Sequence, residues 1–115
     1  MTNDQMMQVL QKCPLFAGMS TLSIDLALGN ISYQIINFAP RDVYTLAGMP
    51  CRFADIVLSG SLICRMVSLS GKQVEVTRLR PGNLIAPAFI FAKNNSMPVS
   101  VETDSEVTLL RMTPQ

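Results

Sequence analysis

The sequence predicts a mainly β domain: an eight-stranded antiparallel β-roll, of the jelly-roll or cupin-like double-stranded β-helix type, with short N-terminal flanking helices. From Ile31 onward, short runs of β-branched and aromatic residues are broken by Gly, Pro, Asn and Asp roughly every 8–12 residues. No helical segment separates these runs, which argues against an alternating α/β fold. The length of 115 residues fits a single domain, 1–115.

The first helix is predicted in "NDQMMQVLQKCPLF", whose apolar residues recur at helical spacing. Asn3 or Asp4 is expected to cap its start, and Pro14 to stop it. The apolar residues of this helix are Met6, Met7, Val9 and Leu10.

The second helix is predicted in "TLSIDLALGN", because Ser20 precedes it as a favourable N-cap. Gly29 or Asn30 would end it. Its apolar side is expected to carry Leu22, Leu26 and Leu28.

The strands are predicted in eight runs: "SYQIINF", "DVYTLA", "FADIVLS", "SLICRMVSL", "KQVEVTRL", "NLIA", "VSVET" and "EVTLLRM". The clearest hairpin lies at "SLSGKQ", where Gly71 can adopt the positive φ of a tight turn. In "RPGN", Pro81 presets one turn angle and Gly82 tolerates the next.

Composition limits the classes of partner. Hydrophobic residues make up 49% of the chain and charged residues 15%, with a net charge of +1 and no two adjacent basic residues. The charge pattern therefore gives no nucleic-acid interface. So apolar a composition indicates either a surface buried against another subunit or a piece of a longer protein.

No targeting or membrane segment is predicted. The start "MTNDQMMQVL" lacks the features of a signal peptide, and the apolar stretch "LIAPAFIFA" is much shorter than a membrane span. We therefore expect a cytoplasmic protein without membrane partners. Cys13, Cys51 and Cys64 are odd in number and widely spaced, which predicts core thiols and no disulfide framework.

Four stretches in chain order, "CPLFAGMS", "ADIVLSGSL", "SGKQVEVTRLRPGNLI" and "SEVTLLRM", carry a family resemblance. Together they resemble the N-terminal sensor domain, which is cyclic-nucleotide-binding-like, of the cyclic-AMP receptor protein and fumarate/nitrate-reduction regulator (CRP/FNR) family of bacterial transcription factors. The resemblance runs from about Leu10 to Met112. It implies a β-roll flanked by short helices, in agreement with the turn spacing.

The resemblance also implies an architecture for a full-length protein. In a typical member, a long helix follows the roll and pairs two subunits, and a helix-turn-helix domain then binds DNA. Neither element is found within the 115 residues. We therefore expect a homodimer in full-length form, and DNA contact only through that further C-terminal domain.

The stretch "LIAPAFIFAKNNSMPVSV" matches the phosphate-binding cassette of the cyclic-nucleotide-binding members. In those members, a Gly-Glu pair contacts the ribose, and an Arg followed by a small residue pairs with the cyclic phosphate. On this resemblance, Ala86 and Pro87 replace the first pair, and Met97 and Pro98 replace the second. The cassette is thus degenerate, which predicts that the chain does not bind cyclic AMP in the family's mode.

Two states of this site are consistent with the sequence. Either the apolar part of the loop collapses into a small satellite core, or an apolar pocket remains for another small-molecule effector of unknown identity. The pocket candidates combine strand positions implied by the resemblance with loop residues: Cys64, Val76, Thr77, Ala86, Pro87, Ala88, Phe89, Met97 and Pro98.

Catalysis and cofactors are not expected. The chain has no His, so cupin-type metal sites and His-ligated haem lack their ligands, and Cys13 alone does not form an iron–sulfur cluster. Carboxylates are expected in solvated turns or alternating along strands. They are Asp25, Asp42, Asp55, Glu75, Glu102, Asp104 and Glu106.

Two functional hypotheses follow. The first is the effector-sensing regulatory domain of a CRP/FNR-type transcription regulator. The alternative is a stand-alone β-roll that works by protein–protein contact, without DNA-binding activity.

Overall fold

The computed structural model describes residues 2–46, 54–85 and 100–112. Two α-helices, α1 (Asn3–Leu10) and α2 (Thr21–Leu28), with a 3-10 turn at Pro14–Phe16 between them, precede all the strands. The strands are β1 (Tyr33–Phe38), β2 (Val43–Thr45), β3 (Ala54–Ser59), β4 (Leu62–Val67), β5 (Gln73–Leu79), β6 (Leu84–Ile85), β7 (Ser100–Thr103) and β8 (Val107–Met112). The predicted β-roll with N-terminal helices is confirmed.

The strands form two four-stranded antiparallel sheets. Sheet 1 has the order β1-β8-β3-β6, and sheet 2 has the order β2-β7-β4-β5. Consecutive strands repeatedly fall in different sheets, so the chain crosses between the two layers as it does in a jelly roll. Each sheet consequently has one face directed at the other.

Helix α1 begins one residue earlier than expected, with Thr2 as its N-cap. The Gln5 N–H donates to Thr2 Oγ1 at 3.2 Å, and the Thr2 N–H donates to Gln5 Oε1 at 2.9 Å. This reciprocal capping box satisfies two backbone donors at once. The prediction of Asn3 or Asp4 as the cap is therefore wrong.

Helix α2 is capped by Ser20 as predicted, but it buries a different face. Ile24 and Leu28 are buried, whereas Leu22 and Leu26 are 67% and 65% exposed. Residues two apart on a helix lie on nearly opposite sides. Because apolar residues occur on both sides of α2, the spacing could not decide which side packs, and the prediction for Leu22 and Leu26 is wrong.

Two apolar clusters form the core. One lies between the helices and the outer face of sheet 1, with Ile56, Leu58 and Leu110 beneath the helices. The other fills the space between the sheets, and its buried members are Val57, Leu62, Cys64, Ile85, Val101, Val107 and Leu109. Side chains alternate along β3 and β8, so that these two strands supply residues to both clusters.

Both predicted turn glycines have positive φ. Gly71 has a φ of 84° in the β4–β5 turn, where its N–H donates to the Ser68 carbonyl at 2.9 Å. Gly82 has a φ of 92°, and its N–H donates to the Val57 carbonyl at 2.8 Å. A Cβ at Gly82 would lie 2.7 Å from Lys12 Cβ, whereas a Cβ at Gly71 would meet nothing within 4 Å.

The different surroundings of Gly82 and Gly71 predict different losses of stability when each glycine is replaced by alanine. Gly82→Ala is expected to lower the free energy of unfolding by about 2–4 kcal/mol, because it adds a steric overlap to the strained backbone conformation. Gly71→Ala, the matched control, should cost only about 1–2 kcal/mol from the backbone alone. Urea unfolding of the two variants measures the difference, and equal losses would contradict this account.

Candidate functional site

The interior wall near β4 and β5 contains the first of the predicted pocket residues. Cys64 and Thr77 are Cα partners across these strands. The Cys64 side chain is buried and packs in the intersheet cluster with Ile85 and Val101. Burial raises the pKa of the Cys64 thiol, which favours its neutral form. Cys64 is therefore an apolar wall residue.

Val76 and Thr77 are neighbours on β5, and both have exposed side chains. Val76 is 51% exposed and Thr77 is also exposed. The register of β4 and β5 shifts between the Cys64 and Arg65 pairs, and this irregularity places Val76 opposite no β4 residue. The structure thus brings Cys64 and Thr77 together and puts Val76 beside them at the bulge.

The remaining pocket candidates lie outside the described residues. They are Ala86, Pro87, Ala88, Phe89, Met97 and Pro98. The described residues on either side of 86–99 are Ile85 and Ser100. Ile85 packs in the same cluster as Cys64, and Ser100 pairs with Arg65 on β4. Both flanks therefore adjoin the wall formed by Cys64.

A polar cluster lies between the two sheets, next to this wall. Asp55 has no exposed surface, and Arg111 contacts both of its carboxylate oxygens, with Nε and Nη2 each 3.0 Å away. The Tyr44 hydroxyl donates to the same carboxylate. Asp55 and Arg111 face each other across β3 and β8 of sheet 1, whereas Tyr44 belongs to β2 of sheet 2. The cluster therefore joins the two sheets.

The electrostatics of the cluster favour one protonation state. Burial, followed by the negative charge of Asp55, raises the pKa of Tyr44, so that its hydroxyl keeps its proton and donates. The hydrogen bonds that Arg111 donates to Asp55 raise the pKa of Arg111 above its ordinary value. A bidentate charged pair with a third donor satisfies a buried carboxylate well.

Sequence reasoning missed this cluster. Asp55 was expected among carboxylates in solvated turns or alternating along strands, and Arg111 was not singled out. The sequence signal for this cluster is the alternation of side chains along a strand. Asp55 is two residues from Val57, and Arg111 is two residues from Leu109. Because Val57 and Leu109 lie in the intersheet cluster, Asp55 and Arg111 face the same interior. An acid and a base at interior positions of two strands predict an internal ion pair only once those strands are known to be neighbours.

The arginines on β4 and β5 of sheet 2 are paired at its outer face. Arg65 forms an ion pair with Glu102, and Arg78 contacts both Glu75, at 3.0 Å, and Asp104. All these side chains are about a third or more exposed, so each pair contributes little to stability. A shallow cavity of about 180 Å³ beside Arg65 lies on this face. Arg65 and Arg78 are thus both paired with carboxylates.

Two features are absent from the part of the chain that the structure describes. No group of His, Cys, Asp and Glu side chains there is arranged to hold a metal ion. No helix there has the length and hydropathy needed to cross a membrane.

Comparison with known proteins identifies the fold. No family model matches the chain, and no curated protein matches its sequence. Solved structures do match. A protein from Ruegeria pomeroyi named as cyclic nucleotide binding superposes with a TM-score of 0.78 at 14% identity, over 98% of this chain and 49% of its own. The sensor domain of the transcriptional regulator DNR from Pseudomonas aeruginosa gives 0.74 at 18% identity, over 96% and 73%.

A transcriptional regulator from Thermotoga maritima is 26% identical, with a TM-score of 0.66 over 78% of this chain and 68% of its own. The chain therefore has the fold of the cyclic-nucleotide-binding domains found in CRP/FNR-type regulators, and the resemblance stated from the sequence is confirmed at that level. The chain spans about half the length of the Ruegeria protein.

Breaking the buried pair of Asp55 and Arg111 should lower the stability of the fold, and removing the remaining charge should restore most of it. Arg111→Met should lower the free energy of unfolding by about 3–5 kcal/mol, because it leaves the Asp55 charge buried without a partner. The double variant with Asp55→Leu should recover most of this loss. Arg65→Met, which breaks an exposed pair, is the control and should cost less than about 1 kcal/mol. Urea unfolding at neutral pH gives all three values. A double variant no more stable than Arg111→Met would contradict the pairing argument.

The raised pKa of Tyr44 predicts a loss of stability at alkaline pH. The unfolded tyrosine ionises near pH 10, whereas the folded one keeps its proton to higher pH. This contribution is fully present below about pH 10 and is lost as the pH rises towards the folded pKa. Tyr44→Phe should therefore show a smaller decrease in unfolding free energy between about pH 9 and 11. The buried thiols are common to both proteins, and parallel curves would refute the assignment.

Proposed function

We propose that this chain is the effector-sensing regulatory domain of a transcription regulator of the CRP/FNR type, and that it does not bind cyclic AMP in the manner of the cyclic-nucleotide-binding members. The observation that carries the proposal is the cassette sequence on this fold. Ala86 and Pro87 stand where the resemblance expects Gly-Glu, and Met97 and Pro98 stand where it expects Arg and a small residue.

The energetics of those replacements oppose a cyclic phosphate. Burying an anion without a compensating charge costs several kcal/mol. An arginine at position 97 would offset that cost with paired hydrogen bonds, but methionine offers no donor. Pro87 and Pro98 also lack backbone N–H groups that could bind a phosphate oxygen.

The described wall supports the same conclusion. Cys64 and its neighbours Ile85 and Val101 present an apolar surface between the sheets. Arg111, which lies between the sheets, is held by Asp55 in two hydrogen bonds. An anionic effector would have to compete with that carboxylate for the guanidinium.

An effector suited to this wall is a small, mostly apolar molecule with few hydrogen-bonding groups. Its proposed pocket combines strand residues with loop residues. They are Cys64, Val76 and Thr77 on the strands and Ala86, Pro87, Ala88, Phe89, Met97 and Pro98 in the loop. Thr77 is the exposed hydroxyl beside the wall and would orient such a ligand. Binding would shift the population between two arrangements of the domains that follow the roll in a full-length homodimer, and so alter DNA binding without catalysis.

The alternative function, a stand-alone protein–protein contact module, is favoured by the exposed apolar side chains of Leu22 and Leu26 on α2. The reading frame downstream of codon 115 discriminates between the two. A long amphipathic helix followed by a helix-turn-helix supports the regulator, whereas a stop codon supports the contact module.

Cyclic AMP provides the direct test of the cassette argument. At millimolar concentration it should produce no heat in titration calorimetry and no increase in the melting temperature of the chain. A ligand that binds only the folded state raises stability by RT ln(1 + [L]/Kd), which is about 2.7 kcal/mol at a hundredfold excess over Kd. A cyclic-AMP-binding domain of the same fold serves as the positive control. A rise of several degrees for this chain would overturn the proposal.

A further inference from the structure

Strand β1 presents an unusual edge in sheet 1. Its sequence, "YQIINF", contains neither charge nor proline. It pairs with β8 over all six residues without a register shift, from Tyr33 opposite Met112 to Phe38 opposite Val107. Its other side faces no strand of the described residues. An uncharged, regular strand of this length is a template for pairing with another chain.

The direction of the backbone groups at the outer edge of β1 follows from the hydrogen bonds of β3. Val57 directs its backbone towards the β6 side, since its N–H donates to the Asn83 carbonyl at 3.0 Å and its carbonyl accepts from Gly82 at 2.8 Å. Ile56 must therefore face β8, where it pairs with Leu110. Leu110 in turn lies opposite Ile35. Alternation across the sheet then directs the N–H and C=O groups of Tyr33, Ile35 and Asn37 away from β8.

The other edges of the two sheets are protected. In sheet 1, the described part of β6 is two residues long. In sheet 2, β2 has three residues with a register shift, and β5 carries a bulge and the charged pair Glu75 and Arg78. Short strands, bulges and charges are the devices that prevent edge-to-edge association. Among the described strands, β1 is the edge that lacks all three.

We infer that β1 is a docking strand for a second copy of this chain, paired antiparallel about a twofold axis at Ile35. This register places Ile35 opposite its own counterpart, Tyr33 opposite Asn37 and Gln34 opposite Ile36. The outward backbone groups of Tyr33, Ile35 and Asn37 then meet their equivalents, and each such pair exchanges two hydrogen bonds. The two copies of sheet 1 become one continuous sheet.

A second copy fits this edge for two reasons. The strand has no charge that would select a charged partner, and in this register it is complementary to itself. The exposed outer side chains of β1 include Tyr33 and Ile35, which are 39% and 45% exposed. Pairing about the twofold axis would place Ile35 beside its counterpart in the other subunit and Tyr33 beside the Asn37 of that subunit.

The outer surface beside β1 offers a place for the partner's tyrosine. A cavity of about 370 Å³ lies between the start of α1 and β1, with Met6 and Leu58 among its apolar lining residues and Asn37 and Thr108 among its polar ones. The Thr108 hydroxyl donates to Asn37 Oδ1 at 3.0 Å. In the inferred register, Tyr33 of the second copy lies opposite Asn37 and therefore beside this cavity. Its ring would contact the apolar lining and its hydroxyl the polar side chains.

The interface is small, since each copy contributes a six-residue strand and the side chains beside it. Stable interfaces usually bury at least about 1,200 Å². We therefore expect a reversible dimer that forms with increasing concentration. This inference does not depend on the proposed effector site or on any long helix.

Sedimentation velocity of the 115-residue chain over a wide concentration range tests the inference. The expected result is a monomer–dimer equilibrium without larger species. Ile35→Lys should raise the dimer dissociation constant at least about tenfold, because it places two like charges opposite each other. Val43→Lys is the matched control on β2 of sheet 2, where Val43 is 58% exposed, and should leave the constant unchanged.

Cysteine cross-linking tests the register. Opposed residues in a hydrogen-bonded pair have Cα atoms about 5.5 Å apart, within disulfide range. Ile35→Cys should therefore give a covalent dimer under mild oxidation, above the background of the unsubstituted chain. Asn37→Cys should not, because its counterpart would lie about 14 Å away along the strand. A monomer at all concentrations, open-ended aggregation, equal effects of Ile35→Lys and Val43→Lys, or no cross-link at residue 35 would each overturn the inference.

Discussion

The compensation of one buried charge organises the space between the two sheets. Asp55 has no exposed surface, so its carboxylate must find its partners inside the roll. Arg111 supplies two hydrogen bonds from the neighbouring strand of the same sheet, and Tyr44 supplies one from the opposite sheet. The first contact favours the observed register of β3 with β8, and the second holds β2 over them. Apolar packing alone would not select these positions so narrowly, because apolar contacts have no direction.

The same arrangement shapes the chemistry available at the candidate site. The polar groups of Asp55, Arg111 and Tyr44 form hydrogen bonds with one another. The adjoining wall of Cys64, Ile85 and Val101 is apolar. Phosphate-binding sites present a cation to the ligand. Positions 86–98 contain no arginine, and Arg111, which lies between the sheets, is paired with Asp55.

The sequence predicted those features that depend on neighbouring residues. All eight strands and the positive φ values of Gly71 and Gly82 followed from local turn chemistry. Predictions failed where distant residues decide the outcome. The buried face of α2 is selected by the sheet beneath it, and Asp55 lies 56 positions from Arg111. Of the predicted pocket residues, Cys64 and Thr77 are cross-strand partners, whereas the nearby polar cluster was missed because its strands pair only in the fold.

The distribution of polarity also bears on how such a roll associates with other molecules. A chain with 15% charged residues has few with which to protect its strand edges. The charged residues of sheet 2 lie on β4, β5 and β7, and they form ion pairs there: Arg65 with Glu102, and Arg78 with Glu75. None lies on β1, which is also long enough and regular enough to offer a continuous row of backbone groups. Because the fold divides its strands between two sheets, protection of one sheet does nothing for the other. The proposed association through the β1 edge and the proposed ligand binding beside Cys64 can therefore vary independently.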